Sequence, residues 1–144
     1  NAAKSTHFGI PFRKVPKELV GYYKYKAGEK FTDKNGKEVA GKKDDFAIYA
    51  VFFTTDKGTD YLDGTNSQTS ENIVMKAELN NRKETDKWTR FSISFNKLKP
   101  IDKQKLGEGK YSLAIIMSSS KDGATFDGAV GSTLYVDELQ LFCE

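Results

Sequence analysis

At 144 residues the chain suits one domain with a single sizeable core. Its 38% hydrophobic and 30% charged residues are the balance of a soluble globular protein, and no apolar run approaches the roughly 18 residues of a membrane-spanning helix. The 23 basic residues are spread along the chain against 20 acidic ones, for a net charge of +3, which argues against a nucleic-acid-binding stripe.

In chain order, "NAAKSTHFGIPF" looks like a linker entering a domain, so residues 1–10 are expected to be leader and 11–144 a single folded unit. "LVGYYKYKAG" (19–28) is the first candidate strand, with Leu19, Tyr23 and Tyr25 on one parity and Val20, Tyr22 and Lys24 on the other. Asn35-Gly36 is a hairpin-turn signal, because both residue types tolerate positive φ. "DDFAIYAVFF" (44–53) is apolar on both parities, as a central strand covered on both sides would be. "NIVMKAEL" (72–79) sets Ile73, Met75, Ala77 and Leu79 against Val74, Lys76 and Glu78. "WTRFSISF" (88–95) alternates most clearly, with Phe91, Ile93 and Phe95 inward and Arg90, Ser92 and Ser94 outward. "KLKPIDKQKLGEG" (97–109) is a loop with room for one helical turn, and "KYSLAIIMSSS" (110–120) places Tyr111, Leu113, Ile115 and Met117 on one face.

In the last run, "GAVGSTLYVDELQLFCE" (128–144), Leu134 and Val136 have even parity but Leu139, Leu141 and Cys143 have odd parity. A β-bulge at Asp137-Glu138 would keep both sets on the core face; a strand buried on two sides is the competing reading. Strands separated by short Gly/Asn/Asp clusters, with no long amphipathic helix, predict an all-β domain: a two-sheet antiparallel β-sandwich. The lone Cys143 cannot form an intramolecular disulfide and leaves the compartment open.

The combination "GYYKYKAG" (21–28), "AVFFTTD" with "YLDG" (50–56 and 61–64), "WTRFSISF" and "MSSSKDGATFDGAVGSTLYVDELQL" (117–141) resembles the PCMD family, the putative carbohydrate metabolism domain. The resemblance runs from about Pro11 to Leu141, and Asp137-Glu138 stands where the family more often shows Asp-Asp. It implies a jelly-roll-like sandwich similar to carbohydrate-binding modules, with glycan as the ligand class and no catalytic residue. It also implies a C-terminal module of a secreted or surface-anchored (lipoprotein-type) protein of a Gram-negative gut bacterium, hence an extracellular or cell-surface location.

Sugar recognition calls for an aromatic plane against the C–H face of a pyranose and fixed polar side chains for its hydroxyls. Trp88, on the polar parity beside Arg90, fits that role; covering the core edge at the strand's start is the commoner alternative. Tyr22 is a second candidate against the commoner fate of packing between sheets. Tyr61, in the polar loop "DKGTDYLDGTNSQ", either contacts ligand or pins the loop. No cofactor is required. By broad resemblance, a structural calcium would take Asp137 and backbone carbonyls. A glycoside hydrolase would need two carboxylates facing across a cleft of about 5 to 10 Å, and His7 and Cys143 are too isolated for a triad or zinc site. The leading expectation is a non-catalytic glycan-binding module. The alternatives are a structural or adhesive module docking on an upstream domain or partner protein and, last, a hydrolase. Neither nucleic acid nor membrane insertion is expected.

Overall fold

The computed structural model describes residues 2–144. The strands are β1 (Ile10–Pro11), β2 (Pro16–Lys26), β3 (Phe31–Thr32), β4 (Ala47–Thr54), β5 (Ile73–Glu78), β6 (Thr85–Ser94), β7 (Asn96–Lys97), β8 (Tyr111–Ser118), β9 (Gly128–Ala129) and β10 (Thr133–Cys143). A short helix α1 (Lys103–Gly107) falls within the loop expected to hold one turn. Its N-cap is Asp102, whose side chain accepts from the N–H groups of Gln104 and Lys105.

Two antiparallel sheets pack face to face, as the alternating patterns require. One has the order β1-β8-β4-β5-β7 and the other β10-β2-β6, while β3 and β9 form a small ribbon. The inner core joins Leu19, Tyr23 and Tyr25 of β2 and Phe91 and Ile93 of β6 to Ile48, Ala50 and Phe52 of β4 and Tyr111 and Leu113 of β8. Aromatic rings knit the sheets together: Tyr23 and Tyr25 lie 5.0 and 4.6 Å from Phe46, and Phe52 stacks on Tyr111 at 5.1 Å. The domain is an all-β, jelly-roll-like sandwich.

β4 is buried along its whole length, as its two-sided apolar pattern demands. Its odd residues Ala47, Tyr49, Val51 and Phe53 enter a second, smaller core with Leu62, Ile73, Ala114 and Ile116, roofed by Phe8. Residues up to Ile10, read as a leader, supply part of that roof. Phe8 and Leu62 exchange backbone hydrogen bonds of 2.7 and 3.0 Å, the Gly64 N–H donates to Ala3 O, and Ile10 pairs with Leu113.

Three local expectations shift. In β5 the alternation breaks at Val74: Phe52 pairs with Met75 and Phe53 with Ile73, so Ile73 joins the outer core and Val74 the inner one. Met117 lies at the exposed end of β8, 42% accessible, instead of in the core. The Asn35-Gly36 turn forms with only Gly36 at positive φ (76°), and Asp33 Oδ1 accepts from the Asn35 and Lys37 N–H groups.

The bulge in β10 exists and lies one residue along. Asp137 pairs with Tyr22 and Gln140 with Val20, so Glu138 and Leu139 together oppose Gly21. Glu138 takes φ 51°, a left-handed conformation that glycine adopts without steric cost. Gly21 is required opposite: a Cβ there would stand 2.8 Å from the Phe91 ring and 3.2 Å from Leu139.

Candidate functional site

The outward face of the β10-β2-β6 sheet is open. Register brings Tyr22 opposite Arg90 on one side and Asp137 on the other. Between Tyr23–Thr89 and Tyr25–Thr85 the β2–β6 pairing is irregular, so the stretch of β6 containing Trp88 lies opposite Lys24. Lys24 Nζ lies 4.6 Å from the Trp88 ring centre and 5.2 Å from that of Tyr135, which faces out from β10. Trp88 is 47% and Tyr135 56% exposed, far more than a core-edge residue needs. The result is an aromatic–cation–aromatic row across three strands.

Next to this row lies a depression of about 510 Å³ lined by Val20, Tyr22, Arg90, Glu138, Gln140 and Phe142. The bulge contributes to it: Glu138, at φ 51°, and its neighbours Leu139 and Gln140 all line the depression. Tyr22 is half-buried there. Its ring and the exposed Arg90 guanidinium give the depression an apolar wall beside a multiple donor.

Of the four residues expected to contact ligand, the structure gathers Trp88, Arg90 and Tyr22 on this face. Tyr61 stands apart. It lies beside Leu62, over the outer face of the other sheet, with its ring stacked on His7 at 3.7 Å. Asp137 is exposed, and its Oδ1 accepts from the Glu138 N–H at 2.8 Å, which supports the bulge. A calcium shell needs about six to eight oxygens. Among the described residues no three His, Cys, Asp or Glu side chains converge, so the rest of a shell at Asp137 would fall to backbone carbonyls and water.

Sequence reading missed Tyr135 and Lys24. The parity of Tyr135, opposite Leu134 and Val136, was its signal. Asp44 was also missed. It is buried at the head of the run read as a central strand, and its Oδ2 accepts from the Ala129 N–H (2.9 Å) and the Ser120 and Ser132 hydroxyls (both 2.6 Å). Oδ1 accepts from the Asp45 N–H at 2.9 Å. This satisfied carboxylate ties the start of β4 to the loop joining β8 and β10. Tyr25 donates to Ser119 O at 2.8 Å, and burial pushes its phenol up to about 12. Gly28 lets the same loop come close, since a Cβ would meet Val130 O at 2.2 Å. The motif "SSSKDGATFDGAVGST" thus supplies three of the four donors to a buried carboxylate.

Comparison with known proteins fits this picture. The model of the family described as "Putative carbohydrate metabolism domain" matches residues 1–142. Two crystal structures superpose over the whole chain, each described as a putative glycoside hydrolase. The one from Bacteroides thetaiotaomicron is 50% identical with a TM-score of 0.97. The one from Bacteroides vulgatus is 45% identical with a TM-score of 0.92. This chain spans 42% and 58% of their lengths, about half. No curated protein matches. With the family model covering nearly its full length, the chain belongs to the putative carbohydrate metabolism domain family.

Proposed function

We propose that this domain is a non-catalytic glycan-binding module of a secreted or surface protein, binding through the outward face of β10-β2-β6. The observation that carries this reading is the pair of half-exposed aromatics, Trp88 and Tyr135, flanking Lys24 on a sheet face that also presents Tyr22 and Arg90. A pyranose ring stacks on the aromatic row while Arg90, Glu138 and Gln140 meet its hydroxyls. Affinity for a short sugar is weak, since a few contacts must offset immobilisation. The family description and the two Bacteroides neighbours support the carbohydrate context. The hydrolase description belongs to chains about twice as long.

Hydrolysis by the domain itself is the second reading, and a cleft of about 300 Å³ with Asp56, Glu71 and Asp102 in its lining is where it would act. Two of these three carboxylates are already engaged. Asp56 is held down at about 2 by its bond to Lys105 and by the Thr54 hydroxyl, and Asp102 Oδ1 caps α1. A general acid needs a raised pKa.

A glycan array with the wild-type domain, Trp88→Ala and an EDTA-treated sample tests the proposal. Selective binding that falls about tenfold or more in Trp88→Ala is expected. Loss with EDTA would add the calcium at Asp137. An array blank at high protein concentration sinks the lectin-like reading and favours docking on another domain or protein.

A further inference from the structure

A second concavity lies on the opposite side of the sandwich, where the roof over the five-stranded sheet stops short. Its floor is the outer face of β4 and β8: Ala47, Tyr49 and Ile116. One wall is the turn carrying Ser67, Gln68 and Thr69, and the other runs from Ser118 to Lys121, enclosing about 430 Å³. We propose that this groove binds a neutral pyranose, independently of the aromatic face.

Three features argue for that ligand class. The floor is apolar while the walls are hydroxyls and an amide, the complement of a ring whose C–H faces and O–H edges differ. No carboxylate lines the groove, and its one lysine, Lys121, is paired with Asp122 at 2.8 Å, so the lining is mainly neutral. Finally, the polar groups are fixed in place. Tyr49 is buried with its hydroxyl 2.7 Å from the buried Ser67 Oγ; burial raises its pKa while bonds from Ser67 and Gln68 pull the other way. Gln68 Oε1 accepts from Lys76 Nζ at 3.1 Å, which orients its amide. The Thr69 hydroxyl makes no hydrogen bond among the described residues, leaving a donor and acceptor at the rim. The volume lies low in the usual range of about 300–1,000 Å³ for small-molecule sites, room for one or two rings.

This inference stands on the groove's own chemistry and survives failure of the aromatic-face reading. Amide-resolved NMR titration with glucose, galactose and N-acetylglucosamine, with glucuronate as the charged control, tests it. The expected result is a millimolar response at Tyr49, Ser67–Thr69 and Ser118–Lys121 for at least one neutral sugar. Ala47→Leu, which fills the floor, should abolish it, and its spectrum also reports folding. The exposed-site change Gln68→Ala should weaken binding about fivefold, as loss of one hydrogen bond does, and Trp88→Ala should leave it unchanged. Silence of the groove amides toward all three neutral sugars overturns the proposal, as does tighter binding of glucuronate. So does a response that disappears with Trp88 instead of with Ala47 or Gln68.

Discussion

The two sheets of this sandwich treat their outward faces in opposite ways. On the five-stranded sheet, Val51, Phe53, Ile73 and Ala114 face outward and are still buried, because Phe8, Leu62 and the loop around them close over that side except at the groove floored by Ala47, Tyr49 and Ile116. On the three-stranded sheet, Trp88, Tyr135 and Phe142 face outward and stay 47%, 56% and 48% exposed. Composition separates the cases. The roofed face is mostly aliphatic and gains by leaving water, whereas the open face interleaves aromatics with Lys24, Arg90, Asp137 and Glu138, whose desolvation would be costly. Apolar residues kept exposed among charges are the ones available to a ligand.

Perturbing each face should sharpen the contrast. The largest effect is expected from Leu62→Ala in the roof: a fully buried leucine lost from a packed site costs about 3 kcal/mol, read by urea unfolding. A loss below about 1 kcal/mol would mean the roof contributes little and the contrast is superficial. Asp44→Ala should cost about 2 kcal/mol, because four other residues would lose the acceptor for their donors. Thermal unfolding measures it, and Asp44→Asn should recover only part, since an amide cannot accept at every position. On the open face, Glu138→Gly should stabilise by about 1 kcal/mol by relieving the left-handed conformation at the bulge. Unchanged stability there would show that the bulge carries no strain.

The smallest effect concerns acid. The Asp56 carboxyl, with its pKa at about 2 against an ordinary 3.8, favours the folded state above the ordinary value, and that contribution is lost as pH falls through about 2. In Asp56→Asn the decline of melting temperature across that window should be shallower. An identical acid limb would show that the Lys105 contact is not maintained in solution.

How much of this was legible depended on whether a property is local. Period-two patterns located β2, β6 and β8, and the unbroken apolar run of β4 announced that its sheet would be covered twice, even though the roofing residues, Phe8 and Leu62, could not be named. The parity clash in β10 left a bulge or a strand buried on two sides; the bulge that forms sets Glu138 and Leu139 against Gly21 on the neighbouring strand, which no local pattern reveals. The same holds for the site. Trp88, Arg90 and Tyr22 followed from alternation, but their meeting with Tyr135 and Lys24 depends on strand order. Tyr61 shows the converse: polar loop composition singled it out, and its stacking on His7 depends on where the chain's first residues lie. Asp44 was illegible for a similar reason, since two of its hydroxyl donors lie 76 and 88 residues away.

The placement of Trp88 has a practical consequence. It is the chain's only tryptophan, so the indole emission of the whole protein comes from one half-exposed ring under an ammonium group. Fluorescence of the native domain is therefore a local signal from the three-stranded sheet, blind to the groove on the other side. A sugar landing on the aromatic row would change emission colour and quenching by iodide, while one entering the groove would leave both unchanged. The molecule carries its own optical means of telling its two surfaces apart.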